Sequence, residues 1–281
     1  MKRKIILVAL FMATVLPSMG KVITDCIQSN VLGATVKFNV WLPAGYDQQA
    51  DTEYPVLYLL HGLTDTYTAW MEKGRMDWVA DELLATGEIC PMIIIMPNAG
   101  GPDTRNIYNG YFNMDGWAYE SFFYTEFIPN VEKRYHIFGD KKHRAVSGLS
   151  MGGGGSTVYA QRHPDMFSSC YAMSAWLDSD APELDPNNKS THTSRAVHDH
   201  NAILFVSEAS DEVKEQLRTV RWFLDVGDDD FLLDQNLSLY QEMRRQHVPC
   251  ELRVRNGVHN WEYWHSALRT SLPFAAREFM R

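Results

Sequence analysis

Cysteine is scarce in this sequence, with four among 281 residues. Cys26, Cys90, Cys170 and Cys250 lie far apart, and none has the C-x-x-C spacing that zinc and redox sites use. In an oxidising compartment they could form up to two disulfides, with three possible connectivities. Cys170 and Cys250 stand in apolar, strand-like runs, which favours a buried free thiol at both positions. We predict neither a metal nor another cofactor.

Basic residues are also few. The chain has 26 Lys and Arg against 35 Asp and Glu, and a formal net charge of −9 at pH 7. Nucleic acids and anionic membrane surfaces attract positive charge, so an acidic protein is a poor candidate to bind either. We therefore expect no nucleic acid and no membrane among the partners of the mature protein.

The first apolar run, residues 5–16, is too short for a comfortable membrane span. It follows three basic residues and precedes small residues at 17–20, which is typical of a secretory signal. We predict a signal peptide at residues 1–20. Its removal takes away three cations and no acids, which changes the net charge from −9 to −12. Cys26 lies too far beyond the run to suggest a lipid anchor, so we expect a soluble secreted or periplasmic protein.

The remaining chain shows no repeat, low-complexity tract or linker, so residues 21–281 are predicted to form a single domain. Continuous apolar runs at residues 55–60 and 92–96 predict strands covered on both faces, whereas residues 35–42 alternate like an edge or antiparallel strand. Other predicted strands are 144–147, 167–173, 220–226 and 251–254, and predicted helices are 77–84, 121–135, 237–246 and 262–280. This alternation predicts an α/β fold with a mostly parallel sheet, helices on both faces, and an active site beyond the carboxyl ends of the strands.

The pentapeptide G-L-S-M-G at residues 148–152 is the most informative motif. It lies between a predicted strand and a predicted helix that begins with small residues, which is the context in which a G-x-S-x-G serine becomes a nucleophile. The flanking glycines allow the strained turn and the close approach of its neighbours. The motif alone arises often by chance, so Ser150 needs partners elsewhere in the chain.

A serine nucleophile requires a base and an orienting acid, which in α/β hydrolases follow the serine on loops after strands. His259 follows the predicted strand 251–254, whereas His247 and His265 lie on predicted helices. Three consecutive aspartates, residues 228–230, follow the strand 220–226. We prefer Asp230 as the acid, because the apolar residues 231–233 would anchor it at the rim of the core, and Asp228 is the alternative.

Acyl transfer also requires two donors for the developing oxyanion. The backbone N–H of Met151, directly after the nucleophile, is one candidate. The sequence L-H-G-L at residues 60–63 follows an early strand, and Gly62 lets that loop approach the site. We therefore expect the Leu63 N–H to be the second donor.

Several segments together resemble the putative-esterase family of α/β hydrolases. They are L-H-G-L at 60–63 with Trp70, M-P-N at 96–98, E-S-F at 120–122 with E-F-I-P at 126–129, G-L-S-M-G-G at 148–153, G-D-D-D at 227–230 and G-V-H at 257–259. The family includes esterase D, tributyrin, feruloyl and acetylxylan esterases, and the resemblance covers residues 30–275. It implies Ser150, Asp230 and His259 as catalytic residues, and Leu63 and Met151 as the oxyanion hole. A departure from the family pattern is the run of three aspartates, where family members usually have one acidic candidate.

Substrate contacts are less sharply indicated. Trp176 follows the predicted strand 167–173, and Trp261 lies two residues from His259. Both are therefore candidates to contact a sugar ring or an aromatic acyl group. His61 and Asn98, in loops after two predicted strands, are further candidates. A secreted member with these aromatics resembles carbohydrate esterases that remove acetyl or feruloyl groups from plant polysaccharide.

The polar segment 181–201 contains His192, His198 and His200. A flexible loop fixes no coordination geometry, so we interpret this segment as a lid or surface insertion and not as a metal site. Three functional hypotheses follow from the sequence: a carbohydrate or general short-chain esterase, an acyltransferase with the same triad, and a non-catalytic carbohydrate-binding relative.

Overall fold

The structure is a computed structural model that describes residues 19–281. The predicted signal peptide, residues 1–20, lies outside the described residues except for Met19 and Gly20, and it remains a prediction. No helix within residues 19–281 is long and apolar enough to cross a membrane.

An eight-stranded sheet forms the centre of the fold, and a short hairpin lies apart from it. The strands in chain order are β1 (Lys21–Ser29), β2 (Ala34–Leu42), β3 (Val56–Leu60), β4 (Ile93–Pro97), β5 (Asn113–Met114), β6 (Trp117–Ala118), β7 (Arg144–Leu149), β8 (Ser169–Met173), β9 (Arg221–Gly227) and β10 (Cys250–Arg255). The sheet has the order β1-β2-β4-β3-β7-β8-β9-β10, and β5 pairs with β6. In the eight-stranded sheet β2 is antiparallel to β1 and β4, and the other neighbours are parallel, whereas β5 and β6 are antiparallel. The predicted mostly parallel α/β sheet is confirmed.

Helices cover both faces of this sheet. They are α1 (Ala69–Glu72), α2 (Met76–Ala85), α3 (Tyr119–Phe122), α4 (Ile128–Arg134), α5 (Met151–Arg162), α6 (Lys189–Asp199), α7 (Ala202–Glu208), α8 (Asp211–Leu217), α9 (Leu233–Arg245) and α10 (Trp261–Phe279). A π-helical segment, Phe123–Phe127, joins α3 to α4, and a short 3-10 helix, Lys141–His143, precedes β7.

Strand β3 shows how the sequence produces two core layers. All of its residues are buried, and successive side chains point to opposite faces. Leu57 and Leu59 join the apolar layer that includes α2 and α10. Tyr58 and Leu60 join the opposite layer with α5, α7 and α9. A strand buried on both faces must be apolar throughout, which explains the continuous run in the sequence.

The structure differs from the sequence prediction in residues 181–201. The segment 181–201 is not a flexible loop, because it contains α6, whose first turn is capped by Asn188 Oδ1 accepting from Ser190 N. Thr193 is buried in this helix and donates to the Asn109 carbonyl at 2.8 Å. The His200 ring stacks on Phe112 with centroids 4.3 Å apart. Within residues 19–281 no group of three or more His, Cys, Asp and Glu side chains could hold a metal ion.

Candidate active site

Ser150 lies in the sharp turn between β7 and α5. Its φ of 53° and ψ of −118° are unusual for a residue with a side chain, so the backbone is strained here. The strain is maintained by hydrogen bonds on both sides: Ser150 N donates to the Met173 carbonyl, and Trp176 N donates to the Ser150 carbonyl, each at 2.9 Å. The turn therefore projects the hydroxyl beyond the end of the sheet.

The glycines beside Ser150 are required by space. A Cβ on Gly148 would lie 2.4 Å from the Gly152 carbonyl oxygen. A Cβ on Gly152 would lie 2.5 Å from the His61 carbonyl oxygen. Both contacts are with backbone atoms, which cannot rotate away as a side chain can. The G-x-S-x-G pattern therefore follows from the close packing of the turn at Ser150 and of the loop after β3.

His259 lies in the loop between β10 and α10 and connects Ser150 to Asp230. Its Nε2 is 2.9 Å from Ser150 Oγ, and its Nδ1 is 2.9 Å from Asp230 Oδ2 and 3.0 Å from Oδ1. A carboxylate only accepts hydrogen bonds, so Nδ1 carries the hydrogen and Nε2 of the neutral ring is free to accept the serine proton. The arrangement can therefore transfer a proton from the Ser150 hydroxyl to His259.

Asp230 is kept ionised in a buried place, and its side chain has no exposed surface. Burial alone would raise the pKa of this carboxyl, but hydrogen bonds from His259, the Leu232 N–H and the Ser174 hydroxyl outweigh it and hold the pKa below its usual range. The Leu232 N–H donates to Oδ1 at 2.9 Å. The carboxylate is thus charged where it meets the imidazole.

The other two aspartates of the run have different partners. Asp228 Oδ1 accepts from the Gly257 N–H at 2.9 Å, and Asp229 N donates to the Gly257 carbonyl at 3.1 Å. Both side chains are exposed. They join the two loops that hold Asp230 and His259, and the structure brings Asp230, not Asp228, to the imidazole.

Two aromatic rings contact the His259 ring. Trp264 stands perpendicular to it with centroids 4.8 Å apart, and Phe231 lies 4.4 Å away at an angle of 47°. Trp264 is buried and donates its Nε1–H to Ser174 Oγ at 3.0 Å, so Ser174 links this ring to Asp230. Phe231 is 76% exposed. The expectation that residues 231–233 anchor the acid in the core is therefore wrong for Phe231, although Leu232 is buried.

A cleft of about 530 Å³ opens above Ser150. Trp176 and Trp261, the two tryptophans predicted to contact substrate, both line it. One wall also carries an ion pair, with Lys73 Nζ 2.7 Å from Asp65 Oδ1 and 5.8 Å from the centre of the Trp261 ring. Aromatic walls with a few polar groups are typical of sites for small organic ligands.

The two expected oxyanion donors lie at this cleft or at its base. Leu63 lines the cleft, and the hydrogen bonds of residues 19–281 include none donated by its N–H. Met151 is the first residue of α5, where backbone N–H groups have no partner within the helix and the helix dipole favours negative charge. Both groups are thus available to an oxygen bound beside Ser150.

His61 and Asn98 do not line the cleft, which contradicts their prediction as substrate-binding residues. His61 is 1% exposed, with Nδ1 2.8 Å from the Gly62 carbonyl and Nε2 accepting from the Ala99 N–H at 3.0 Å. Asn98 Oδ1 accepts from the Tyr67 N–H at 3.1 Å. Both side chains connect loops behind the site, because the buried backbone there needs hydrogen-bond partners.

The cleft positions of Asp65, Lys73 and Phe231 and the contacts of Ser174 were not predicted from the sequence. Ser174 directly follows β8, so its place at the carboxyl end of a parallel strand was a usable signal. Asp65 and Lys73 lie eight residues apart in a loop and beyond a short helix, and no sequence spacing connects them.

Comparison with known proteins identifies the family. A family model described as "Putative esterase" matches residues 29–275. Among curated proteins, an endo-1,4-beta-xylanase/feruloyl esterase of Xylanibacter ruminicola is 36% identical over 132 residues, which are 46% of this chain and 18% of that protein. Esterase Rv1288 of Mycobacterium tuberculosis is 32% identical over 149 residues, which are 52% of this chain and 30% of that protein. The chain thus spans less than a third of the length of these curated relatives.

Solved structures resemble the chain over nearly its whole length. A ferulic acid esterase is 51% identical with a TM-score of 0.90, and the match covers 93% of this chain and 99% of that one. FphF, a fluorophosphonate-binding serine hydrolase of Staphylococcus aureus, has a TM-score of 0.76 at 22% identity, covering 92% and 99%, which shows the shared fold. The predicted family is confirmed. The chain belongs to the putative esterase family, with the α/β-hydrolase fold.

Proposed function

We propose that this protein is an exported carbohydrate esterase that releases hydroxycinnamate groups, such as ferulate, from plant polysaccharide. The observation that carries the proposal is the Ser150–His259–Asp230 hydrogen-bond chain at the base of an aromatic cleft. The 51% identity with a ferulic acid esterase supports the choice of acyl group.

The proposed reaction has two halves. Ser150 Oγ attacks the ester carbonyl carbon while His259 Nε2 takes the hydroxyl proton, and that proton passes to the departing alcohol oxygen. The acyl group remains on Ser150. Water then attacks the acyl-enzyme carbonyl and gives its proton to His259, which returns it to Ser150 Oγ as the free acid leaves. Asp230 holds the imidazole tautomer and stabilises its charged form in both halves.

The carbonyl oxygen becomes negative in each tetrahedral intermediate. We assign its stabilisation to the N–H groups of Leu63 and Met151, which come from the loop after β3 and the start of α5. Donors fixed by the backbone need no reorganisation during the reaction, and such groups supply several kcal/mol of transition-state stabilisation. The strained turn at Ser150 keeps the nucleophile next to the Met151 N–H.

The size of the cleft supports an aromatic acyl group over acetyl. An acetyl group would leave most of a cavity of about 530 Å³ empty. A hydroxycinnamoyl group offers a flat ring that the side chains of Trp176 and Trp261 can contact, with offset or edge geometry. We propose these two tryptophans as substrate-binding residues.

Export and domain organisation are parts of the same proposal. A basic start followed by an apolar run in residues 1–20 supports removal of a signal peptide, as a secreted or periplasmic polysaccharide esterase requires. One continuous sheet runs from β1 to β10, which supports a single domain over residues 21–281. N-terminal sequencing of the protein recovered from outside the cytoplasm tests the cleavage site.

The first experiment measures hydrolysis by the purified protein and by Ser150→Ala. The substrates are p-nitrophenyl acetate, p-nitrophenyl butyrate, methyl ferulate, feruloylated arabinoxylan and acetylated xylan. We expect release of ferulate from the methyl ester and the polysaccharide, and a fall in kcat of about 10⁴-fold or more in Ser150→Ala, because the nucleophile is lost. The variant should keep the thermal unfolding of the wild type.

Other outcomes separate the competing functions. Turnover of the p-nitrophenyl esters alone would indicate a general short-chain esterase, and release of acetate alone an acetylxylan esterase. New esters formed with added glycerol or sugar would indicate an acyltransferase. Activity retained in Ser150→Ala, or no reaction of the wild type with a fluorophosphonate, would contradict the proposed nucleophile.

A further inference from the structure

Phe231 has an unusual place for an apolar side chain. It follows the buried Asp230, yet it is 76% exposed and is the most exposed of the large hydrophobic residues among residues 19–281. Single exposed hydrophobic residues are common and need no explanation by themselves. Phe231, however, lines the cleft above Ser150 and contacts the ring of His259.

The second exposed aromatic side chain provides a contrast. Trp78, on α2, is 60% exposed, but the guanidinium of Arg75 lies over its ring at 3.9 Å. The guanidinium thus covers one face of the indole ring in a cation–π contact. Among the described residues, Phe231 has no such cation, and its ring contact is with His259. The exposed surface of Phe231 therefore lies at the cleft, and no cation among residues 19–281 covers it.

The position of Phe231 relates it to one half of the substrate. His259 Nε2, which lies 2.9 Å from Ser150 Oγ, must deliver its proton to the leaving oxygen. That oxygen has to come within hydrogen-bond reach of Nε2, so the alcohol group attached to it lies against the histidine side of the cleft. Of the two aromatic rings in contact with His259, Trp264 is buried, and Phe231 alone is exposed.

We propose that Phe231 forms a subsite for the sugar ring of the leaving alcohol, which stacks its C–H face on the phenyl ring. This inference rests on the proposed function and assigns the alcohol side of its site. Asn260 lines the same cleft and uses Oδ1 to cap the Tyr263 N–H. Its side-chain NH₂ donates no hydrogen bond among residues 19–281, so it can serve a sugar hydroxyl beside the stacked ring.

The test uses two substrates with the same acyl group, methyl ferulate and the ferulate ester of arabinofuranose. We compare the ratio of kcat/KM, sugar ester over methyl ester, in the wild type, Phe231→Ala and Phe231→Tyr. Loss of an aromatic contact is expected to lower this ratio about fivefold in Phe231→Ala, whereas Phe231→Tyr keeps it. Trp78→Ala is the matched control, since it removes an exposed aromatic side chain outside the cleft and should leave the ratio unchanged.

The alternatives give different patterns. An equal fall of kcat/KM on both esters, which leaves the ratio unchanged, would mean that Phe231 acts through His259. Unchanged values of kcat/KM on both esters would mean that the ring does not contact the substrate. Either result overturns the subsite. If ferulate esters are not cleaved, the acyl part of the proposed function has failed. The same ratio, measured with acetyl esters of xylose and of methanol, then decides the subsite: a fall in Phe231→Ala supports it, and no fall overturns it.

Discussion

At the residue scale, a single carboxylate of the three that follow β9 contacts the imidazole of His259. Asp230 is buried and bonded to Nδ1, whereas Asp228 is exposed and bonded to the Gly257 N–H. Replacing Asp230 with Asn removes the charge and allows the wrong imidazole tautomer. We expect a fall in kcat of about 10⁴-fold for Asp230→Asn.

Asp228→Asn is the matched control, because it changes a neighbouring carboxylate in the same turn. Its hydrogen bond with the Gly257 N–H can be kept by the amide oxygen, so the fall in kcat should be far smaller than that of Asp230→Asn. Steady-state kinetics on methyl ferulate compare the two. A larger loss in Asp228→Asn would move the role of the acid to that residue.

His61 gives a pH-dependent contribution to stability. Burial lowers its pKa to about 4, although its hydrogen bond to the Gly62 carbonyl and the charge of Asp65 act in the other direction. The unfolded chain has the ordinary histidine pKa near 6.5, so it takes up a proton that the folded state does not bind. The free energy of unfolding should therefore fall as the pH drops from about 6.5 towards 4, by about 3 kcal/mol in total.

Urea unfolding at pH 7.5 and pH 5 measures this contribution. His61→Asn keeps one donor and one acceptor but does not titrate, so it is the matched variant. The loss of stability between the two pH values should be about 2 kcal/mol larger in the wild type than in His61→Asn. Equal losses would show that His61 is not held neutral by the fold.

The residues of the site differ in how far the sequence predicts them. Ser150, Asp230 and His259 follow parallel strands, whose carboxyl ends meet at one edge of the sheet, so their proximity was predictable. His61 also follows a strand, but its backbone partners at Gly62 and Ala99 turn it into the interior. Nothing in the local sequence states on which side of a loop a side chain lies, and this applies equally to Phe231.

At the element scale, β8, β9, β10 and α10 are joined by one buried carboxylate. Asp225 of β9 has no exposed surface and accepts from Tyr171 Oη at 2.5 Å and from Tyr263 Oη at 2.6 Å. Arg253 of β10 pairs with the same carboxylate. A buried charge needs such partners, because its hydration has been lost.

This cluster predicts an asymmetry between the variants of Arg253 and Asp225. Arg253→Met removes the cation that is hydrogen-bonded to the buried Asp225 and leaves only Arg255, whose Nε is 3.8 Å from Oδ1, so it should lower the free energy of unfolding by about 3 kcal/mol. Asp225→Asn leaves an arginine whose side chain is 31% exposed and can be hydrated, so it should cost less. Arg269→Met, at an exposed pair with Glu82, is the control and should change the free energy of unfolding far less, because solvent screens such a pair. Urea unfolding measures all three, and equal costs for the members of the cluster would contradict this account.

Secondary structure was predictable where burial controls the sequence pattern. Strands β3 and β4 are buried throughout, and their apolar runs identify them. Strand β1 was missed because it lies at the edge of the sheet, where most of its side chains are exposed or half-buried and polar residues are tolerated. Helix α6 was missed for a similar reason, since three of its residues are buried and the rest are polar.

At the scale of the whole molecule, the site depends on loops that only the complete sheet brings together. The proposed nucleophile follows β7, the proposed acid follows β9, the proposed base follows β10, and the Leu63 loop follows β3. In the sheet β3 adjoins β7 and β9 adjoins β10, with β8 between the two pairs, although the loops come from residues far apart in the chain. A change that shifts the order or register of the sheet would therefore separate all four groups at once.

The same sheet register decides the state of two cysteines. Cys170 of β8 and Cys250 of β10 both pair with Trp222 of β9, which lies between them. Adjacent strands lie about 4.8 Å apart, so these two Cα atoms are separated by about 9 to 10 Å. A disulfide requires less than about 7 Å. All four cysteines are free in the structure, although the sequence allowed two bridges.

We therefore expect the protein to be stable without disulfides. Four thiols should react with Ellman's reagent in denaturant without prior reduction, and a reductant should change the Tm by less than about 1 °C, because no cross-link constrains the unfolded chain. Fewer than four reactive thiols, with a mass two hydrogens lower for each bridge, would contradict the free state. A bridge between Cys170 and Cys250 in particular would require β9 to leave its place, and with it Asp230 would move away from His259.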